Sequence, residues 1–295
     1  MPDISLWNKC NNKCIMCTNP KEYSTSTPSG NYDLKTQVKK LKLYIEKGEK
    51  VYFSNHNKKN YINITGGEPT LHPDFFKFLV YLREKLPDIP ITLLTNGRKF
   101  SNVEFTKRFA SLAKNPFTTA ISFYTCNEKN FERISKVKGS YKQTLSGIVN
   151  LAKYFSGTIE IRVVIHRLNI DDLPQTITFI KNILIACDFY ITIIHYEIEG
   201  IAEINKNKLF LSLSDSAKKI SEIEDMFLDG FIRLYHFPLC VLSENLRKYA
   251  WITLPKEERI YTSKCYKCKI KRKCLGLMKR YYELYGDYEL KPILK

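Results

Sequence analysis

Residues 61–95, YINITGGEPTLHPDFFKFLVYLREKLPDIPITLLT, decide the fold because they contain one complete unit of strand, helix and strand. Tyr61–Thr65 and Ile91–Thr95 are short apolar runs with β-branched residues, which is typical of buried strands. The segment DFFKFLVYLREKL between them carries apolar residues at helical spacing. This order predicts two parallel strands joined by a right-handed crossover.

The same alternation continues over most of the chain. Further strands are predicted at Ile4–Trp7, Thr119–Tyr124, Thr158–His166 and Tyr190–Glu197, and further helices in DLKTQVKKLKLYIEK, SYKQTLSGIVNLAKYF and LPQTITFIKNIL. Ser140 is the expected N-cap of the second of these helices. Six strands separated by helices predict an α/β fold, namely a partial (β/α)6 barrel that stays open rather than closing at eight units.

After Asn205 the alternation weakens, and a helix in DSAKKISEIEDMF and a short strand in FIRLYHF lead to a cysteine-rich tail. We therefore expect a barrel core over residues 1–205 and a C-terminal extension over residues 206–295. The first residues, MPDISLW, do not resemble a secretory signal, and no apolar stretch is long enough to span a bilayer. These features predict a cytoplasmic protein without membrane contact. We also expect no fused peptide-recognition domain ahead of Cys10.

The composition indicates metal or redox chemistry. Nine cysteines in a chain without a secretory signal are not typical of a disulfide framework. The formal net charge is +17, and the densest basic run is KCYKCKIKRKC at residues 264–274. Such a charge is compatible with a solvated surface, with an acidic peptide partner or with nucleic acid, and charge alone does not separate these.

The stretch CNNKCIMC, residues 10–17, places three cysteines in the spacing C-x3-C-x2-C. A structural zinc site takes four ligands, commonly as two C-x2-C pairs. Three thiolates instead suit three irons of a [4Fe–4S] cube and leave the fourth iron open to a small molecule. The alternative is a zinc site that a distant residue completes.

The turn ITGGEPTLHP closes the second predicted strand, so Gly66 and Gly67 are expected at a carboxyl end, where open α/β folds bind ligands. Two glycines let the backbone approach a ligand closely, and Glu68 offers a carboxylate to an ammonium group. Alone, such a turn could simply connect a strand to a helix. One βα unit after a three-cysteine loop, it favours a ligand site.

Together these motifs resemble the radical S-adenosylmethionine (radical SAM) superfamily, because CNNKCIMC is similar to its cluster loop and GGEP to its motif for the methionine amine. The resemblance implies that Cys10, Cys14 and Cys17 hold the cluster and that S-adenosylmethionine (SAM) chelates the open iron. It also implies reductive cleavage of SAM to a 5′-deoxyadenosyl radical, which abstracts hydrogen from a substrate. Met16 departs from the family, which usually has an aromatic residue at that position.

Three further positions match cofactor contacts of the family. Asn96 in LLTNGR is expected to reach the cofactor, and Ser122 in AISFY and Arg162 in IEIRVVIH match positions that hold the SAM carboxylate in similar enzymes. An arginine in an otherwise apolar strand requires an anionic partner. The alternatives are a structural pair of Arg162 with a buried acid and a strand serine without a function at Ser122.

A second set of cysteines, Cys240, Cys265, Cys268 and Cys274, resembles the auxiliary-cluster domains, of the SPASM and Twitch types, in peptide-modifying radical SAM enzymes. The full SPASM pattern adds a cysteine where this chain has Met278. We therefore expect one auxiliary [4Fe–4S] cluster, with Cys240 as its fourth ligand and no open iron. Such a cluster would carry electrons rather than bind substrate. A zinc site with four cysteine ligands is the alternative.

Over nearly the whole chain, the sequence resembles the radical SAM maturases of the His-Xaa-Ser peptide system. The matching segments are the cluster loop, ITGGEPTL, LTNGR, QTLSGIVNLA, EIRVVIH, EIEGIAEIN, FPLCVL and KPI. Leu275 and His195 stand where that family usually has glycine. The resemblance implies a small ribosomally made precursor peptide as the substrate, and one expected form of this peptide has an acidic leader. It also implies a low-potential electron donor such as flavodoxin or ferredoxin.

Such enzymes abstract hydrogen from a side-chain or α carbon and then form a crosslink or epimerise the residue. We expect an intrapeptide crosslink, whose extra electron the auxiliary cluster accepts. Glu197, at the end of the sixth predicted strand, is the candidate base for the deprotonation. Cys126, after the fourth strand, is the candidate hydrogen donor of an epimerase. The alternatives are a solvated or salt-bridged glutamate and an inert loop thiol.

Two other functions stay open at this point. An RNA-modifying radical SAM enzyme would account for the charge of +17 and the basic tail, but no recognisable RNA-binding module accompanies them, so nucleic acid is not the expected partner. A zinc-ribbon protein that binds nucleic acid would account for the tail. It would not account for CNNKCIMC together with GGEPT.

Overall fold

The computed structural model describes residues 3–21, 32–47 and 62–294. Its strands, numbered in chain order, are β1 (Asp3–Trp7), β2 (Ile62–Gly66), β3 (Ile91–Thr95), β4 (Phe117–Ser122), β5 (Thr158–Ile165), β6 (Phe189–His195), β7 (Ile232–Tyr235), β8 (Ala250–Trp251), β9 (Arg259–Ile260) and β10 (Leu277–Met278). Its helices are α1 (Leu34–Lys47), α2 (Phe75–Lys85), α3 (Val103–Leu112), α4 (Glu128–Ser135), α5 (Ser140–Tyr154), α6 (Leu173–Leu184), α7 (Gly200–Ile204), α8 (Lys206–Leu209), α9 (Leu213–Ser221) and α10 (Lys279–Tyr285).

Strands β1 to β8 form one sheet in chain order, and every neighbouring pair is parallel. This confirms the predicted α/β fold with an open parallel sheet. The sheet is longer than the six predicted strands because β7, from the segment FIRLYHF, pairs with β6, with Ile232 opposite Ile191. β8 then pairs with β7, with Ala250 opposite Leu234. The core sheet thus continues past residue 205, while the division into two domains stays a prediction.

The alternation of side chains along β5 shows how the sheet positions the site. Ile159, Ile161 and Val163 are buried in the hydrophobic core. Because successive side chains of a strand point to opposite faces, Glu160 and Arg162 lie together on the other face, the interior of the partial barrel.

Aromatic packing holds the helices on the outside of this sheet. Phe109 of α3 contacts Phe75 of α2, with ring centroids 6.3 Å apart, and Phe117 of β4, at 5.5 Å. It also contacts Phe155, just after α5, at 5.4 Å. Burial of such a side chain contributes about 1.5–3 kcal/mol, so these rings fix three helices against the strand ends.

Several predicted boundaries are wrong in detail. β4 ends at Ser122 rather than Tyr124, and β6 ends at His195 rather than Glu197. The N-cap of α5 is Gly139, at a φ of 77°, rather than Ser140. The predicted strand residue Tyr61 lies outside the described residues. Helices α3 and α4 were absent from the prediction.

No helix in the described part of the chain combines the length and the apolar character needed to cross a bilayer.

Candidate active site

A large cavity lies at the carboxyl ends of the parallel strands. It encloses about 1020 Å³ of space, including the part open to solvent. Its wall comes from the loop after β1 and from residues at or near the ends of β2 to β7. This is the edge at which open α/β folds bind ligands.

The three cysteines of the loop after β1 line this cavity together. The loop is fixed to the end of α4, because the backbone N–H groups of Lys13 and Ile15 donate to the carbonyls of Ser135 and Ile134, at 2.9 and 3.0 Å. Between these two anchors, the sulfur of Cys14 lies 2.9 Å from the hydroxyl of Tyr124.

The electrostatics of these thiols fit the binding of a cationic cluster. Burial raises the pKa of Cys10 to about 12, and the nearby Glu68 carboxylate adds to the rise. Burial, followed by the proximity of Cys17, also raises the pKa of Cys14. Three buried thiols that resist ionisation need a positive centre to become thiolates, and metal binding supplies one by displacing the protons.

Within the described part of the chain, no three Cys, His, Asp or Glu side chains converge on a point that could hold a single metal ion. A [4Fe–4S] cube is a different case, because it takes one thiolate on each of three or four irons.

The Gly-Gly turn is tied directly to the cluster loop through the backbone. The N–H of Gly67 donates to the Trp7 carbonyl at 2.7 Å, and the N–H of Glu68 donates to the Lys9 carbonyl at 2.9 Å. A Cβ on Gly66 would lie 2.1 Å from the Trp7 oxygen, and a Cβ on Gly67 would lie 2.6 Å from the Lys9 oxygen. Only glycine permits this approach, which leaves backbone groups of both glycines in the cavity wall.

The contact of the Glu68 carboxylate with an ammonium group stays a prediction, while the structure shows which protein groups this carboxylate binds. Glu68 is fully buried and does not belong to the described wall of the cavity. Its carboxylate accepts from the hydroxyls of Thr70 and Thr95, at 2.6 and 2.7 Å, and from the backbone N–H of Asn96 at 2.7 Å. Glu68 therefore shapes the site by joining the ends of β2 and β3.

Asn96 and Ser122 both line the cavity, where the sequence analysis expected cofactor contacts. The Asn96 amide donates to the side-chain oxygen of Asn11 at 2.7 Å and lies 3.9 Å from the sulfur of Cys10. Ser122 ends β4 directly opposite Arg162 of β5. Both side chains are placed for contact with a bound molecule.

Arg162 lines the cavity and also has the anionic partner that its strand position requires. Its Nε donates to Glu160 at 2.9 Å, and Glu160, which is 1% exposed, also accepts from the Thr192 hydroxyl at 2.7 Å. Burial works to lower the pKa of Arg162, but the Glu160 carboxylate raises it above its usual value. The alternative of a structural ion pair is thus present, in a side chain that still faces the cavity.

The two predicted catalytic residues have different positions. Glu197 lines the cavity, and its Oε1 lies 3.3 Å from Nε2 of His236. Cys126 does not belong to the described wall, and its backbone N–H donates to the Thr176 hydroxyl at 3.1 Å. Its role as a hydrogen donor stays a prediction.

The four cysteines of the tail line one smaller cavity, of about 370 Å³ including space open to solvent. The chain brings Cys240 to the other three although 25 residues separate it from Cys265. Burial raises the pKa of Cys240 to about 11, with contributions from the other three thiols. The grouping predicted from sequence is therefore present, while the identity of its metal stays a prediction.

Some residues in the cavity wall or bound to it were not predicted from the sequence, among them Tyr124, His236 and Glu160. Tyr124 and His236 each follow a strand by one or two positions, so the carboxyl-end rule that identified Gly66 could have included them. Glu160 is two residues from Arg162, and the period of two in strands places it on the same face.

Two buried histidines next to the site predict acid sensitivity. Burial lowers the pKa of His166 and of His195 to about 3, well below 6.5. Between pH 6.5 and 3 the unfolded chain binds protons that the folded chain does not, so stability falls as the pH falls. The free energy of unfolding should fall by up to about 1.4 kcal/mol per pH unit for each histidine, or by about 3 kcal/mol per pH unit for both.

Urea unfolding between pH 7.5 and 5.5 checks this expectation. A His166→Gln protein is the matched comparison, since it removes one of the two imidazoles and should lose stability less steeply on acidification. Equal slopes for the two proteins would contradict the assignment of a neutral, buried His166.

Comparisons with known proteins agree with this geometry. The family model described as the radical SAM superfamily matches residues 4–180. The GTP 3′,8-cyclase of Petrotoga mobilis (strain DSM 10674 / SJ95) is 24% identical over 214 residues, which are 72% of this chain and 60% of that protein. The chain thus spans less than two thirds of that relative.

Two solved structures share the fold. The crystal structure of Streptococcus suis SuiB bound to S-adenosylmethionine matches 79% of this chain and 49% of that chain, with a TM-score of 0.57 and 18% identity. The crystal structure of methylornithine synthase (PylB) matches 79% of this chain and 63% of that chain, with a TM-score of 0.55 and 14% identity. At such identities the likeness concerns the fold alone.

Proposed function

This chain belongs to the radical SAM superfamily, and within that family we propose that it modifies a ribosomally made precursor peptide by forming a crosslink between two of its residues. Membership implies an S-adenosylmethionine cofactor and a [4Fe–4S] cluster. Bound together, these supply a 5′-deoxyadenosyl radical that abstracts a hydrogen atom from the substrate. Cys10, Cys14 and Cys17 would hold the cluster, and the backbone at Gly66 and Gly67 would hold the methionine end of the cofactor.

The observation that carries the proposal is the group of four tail cysteines on one cavity. Four thiolates occupy all four irons of a cube, which leaves electron transfer as the role of such a cluster. Crosslinking requires that role, because joining two residues releases one electron and one proton beyond the hydrogen atom first abstracted. The proposed tail cluster, in an extension over residues 206–295, accepts that electron.

The position of Cys126 supports crosslinking over epimerisation. An epimerase returns a hydrogen atom to the substrate radical, usually from a thiol. In the described wall of the large cavity, the thiols are those of Cys10, Cys14 and Cys17, which the cluster would occupy. Crosslinking needs no thiol donor.

A second candidate function is suggested by the relatives named GTP 3′,8-cyclase. Cyclisation of a guanine nucleotide would require the cavity to neutralise a triphosphate. Among the described residues of its wall, Arg162 is the one lysine or arginine, and it is already paired with Glu160. This scarcity of cationic groups favours an uncharged peptide segment as the occupant.

The two candidates are separated by incubating the anaerobic, reduced enzyme and SAM with either GTP or a short peptide encoded beside its gene. We expect a peptide product lighter by two hydrogens, and no conversion of GTP. Consumption of GTP with an unmodified peptide would replace the proposal by the second candidate.

Replacement of both Cys265 and Cys268 by alanine tests the role of the tail. The variant should lose one of two clusters, keep the cluster of Cys10, Cys14 and Cys17, and still cleave SAM. Crosslinking should fall at least about 100-fold, because the product radical loses its electron acceptor. Iron and sulfide analysis, together with mass spectrometry of the peptide, measures both effects.

A Cys126→Ala protein is the matched control for this variant, and it should keep both clusters and the crosslink. Thermal melting and peptide binding are compared in parallel, because cluster ligation also contributes folding energy in the tail. Zinc in the parent tail, or unchanged iron in the double variant, would overturn the proposed auxiliary cluster.

Two partners follow from the same proposal. The basic run at residues 264–274 surrounds three of the four tail cysteines and would attract an acidic leader segment of the peptide. The electron that starts the reaction would come from a low-potential donor such as flavodoxin or ferredoxin. Binding of either partner should weaken as the salt concentration rises.

A further inference from the structure

We propose that His236 and Glu197 form one proton-sharing pair in the wall of the large cavity, and that this pair accepts the proton that the substrate releases. The two residues come from different strands, since Glu197 follows β6 and His236 follows β7. Both line the same cavity as Cys14 and Arg162. The acceptance of a substrate proton rests on the proposed function, whereas the pair itself does not.

The hydrogen bonds of the ring define where its protons lie. Nδ1 of His236 is 3.1 Å from the backbone carbonyl of His195. A carbonyl oxygen can only accept, so Nδ1 carries a hydrogen. In a neutral ring, the lone pair is then on Nε2, which lies 3.3 Å from Oε1 of Glu197. If the Glu197 carboxylate were ionised, a lone pair of its oxygen would face the lone pair on Nε2, and the two would repel each other. This contact therefore requires one proton shared between the two atoms.

The pair thus has two forms. The contact between the two side chains in the structure corresponds to the form with the shared proton. The form without it places two lone pairs against each other, and this repulsion raises its affinity for a proton above that of either group alone. The unprotonated form is therefore the base.

The surroundings determine which group holds the shared proton. Burial lowers the pKa of His236 to about 4, and the charge of Arg162 contributes to the decrease. The ring is then neutral at pH 7, so we assign the shared proton to Glu197. Glu199 lies near both groups, and burial raises its pKa. The charged and titratable groups around the pair, among the described residues, include Glu160, Arg162, His195, Glu199 and Tyr235, together with Glu258, Arg280 and Tyr281, which line a smaller cavity with Glu197.

The backbone of His236 gives independent support. Its φ is +71°, in the left-handed region that few residues other than glycine occupy, although histidine enters it more often than most, as do asparagine and aspartate. Such strain is kept where the surrounding structure needs a side chain in one position. Here it turns the ring from the end of β7 towards Glu197.

The proposed step balances in atoms and electrons. The substrate radical forms a new bond to a second residue of the peptide, and an X–H bond of that residue breaks. The electron passes to the tail iron–sulfur cluster of the proposed function. The proton passes to the unprotonated pair, which becomes the hydrogen-bonded form.

Glu197→Gln and His236→Gln, alone and together, test the pair in the anaerobic holoenzyme. The quantity measured is crosslink formed per 5′-deoxyadenosine, between pH 6 and 9. In the parent this ratio should rise with pH as the pair loses its proton. Glu197→Gln should lower the ratio about 100-fold and remove the rise, since general-base catalysis is typically worth that much or more. His236→Gln should move the rise to lower pH, because the Glu197 carboxyl group loses its proton more readily when it does not share that proton with His236.

A pair that acts as one unit makes the losses non-additive, so the double variant should be no worse than Glu197→Gln. His166→Gln is the matched control, because it removes another buried imidazole outside the described cavity wall and should keep the parent profile. Losses that multiply in the double variant, or a parent-like profile in Glu197→Gln, would overturn the assignment.

Infrared difference spectra give a readout that needs no substrate. The carbonyl band of a carboxylic acid should be present at pH 7 in the parent and in His166→Gln, and absent in Glu197→Gln. No difference in this band between the parent and Glu197→Gln would mean that Glu197 carries no proton at pH 7, which would overturn the assignment. If the parent cleaves SAM but leaves every peptide unmodified, the proposed function falls, and this band still decides whether the pair exists.

Discussion

A Cys14→Ala protein should form no measurable 5′-deoxyadenosine from SAM. In the proposed cluster, each of the three loop cysteines would bind a different iron, so the loss of one would leave an iron without its protein ligand. Residues that merely support a metal ligand cost 10- to 100-fold when replaced, and loss of the ligand itself should exceed about 100-fold. Anaerobic reduction with dithionite, followed by chromatography of the nucleosides, measures the product.

Cys187→Ala is the matched control for Cys14→Ala. The thiol of Cys187 lies 3.6 Å from the carbonyl of Ala152 and belongs to neither group of cysteines. This variant should keep its iron and its rate of SAM cleavage. Normal 5′-deoxyadenosine formation by Cys14→Ala would contradict the assignment of the cluster to this loop.

Gly66→Ala should be the most damaging substitution outside the cysteines. The φ of Gly66 is +134°, and a Cβ there would lie 2.1 Å from the Trp7 carbonyl oxygen. Both groups belong to the backbone of paired strands, so neither can move without separating β1 from β2. We expect a loss of about 3 kcal/mol or more in the free energy of unfolding, together with loss of SAM binding.

The comparison for Gly66→Ala is Gly139→Ala, which separates backbone strain from the close approach. Gly139 also has a positive φ, of +77°, but among the described residues, its two chain neighbours aside, no heavy atom lies within 4 Å of the position of its Cβ. Its replacement should cost only about 1–2 kcal/mol and leave SAM binding unchanged. Urea unfolding and calorimetric titration with SAM measure the two effects. Similar losses in both variants would show that the contact with Trp7 is unimportant.

The fold could be predicted because its signal is repeated. Each strand of the core is a short apolar run followed by a helical pattern, and several such units leave little choice besides a parallel sheet. Helix α3 was missed because its segment, VEFTKRFASL, is only ten residues long and has just two buried positions, Thr106 and Phe109. Its stability comes from packing rather than from its own sequence, as the contacts of Phe109 indicate.

The positions of the site residues could be predicted better than their contacts. Spacing identified Cys10, Cys14 and Cys17, and the carboxyl-end rule identified the turn at Gly66. The direction of the Glu68 side chain depends on donors from the next strand, which are 27 and 28 residues away in sequence. Distances of that kind follow from the register of β2 and β3, which a single sequence does not contain.

His236 is a second residue whose contacts could not be predicted from the sequence. It lies in a segment predicted only as a short strand of the tail. Its importance depends on that strand joining the core sheet, which brings its end beside the end of β6. The residue type alone, a single histidine among apolar neighbours, indicates a satisfied core position as readily as a functional one.

The hydrogen bonds around Asn96 have a consequence for engineering. The backbone N–H of Asn96 donates to Glu68, its side-chain amide donates to Asn11, and its side-chain oxygen accepts from the N–H of Arg98. These hydrogen bonds connect the cluster loop, the Gly-Gly turn and the LLTNGR segment, so a change in one of these motifs disturbs the others. We expect most variants in a mutational library that includes these positions to be inactive. The wall residues Val164 and Ile194 take no part in these hydrogen bonds or in the proposed proton-sharing pair, so altered selectivity is best sought by diversifying those two positions.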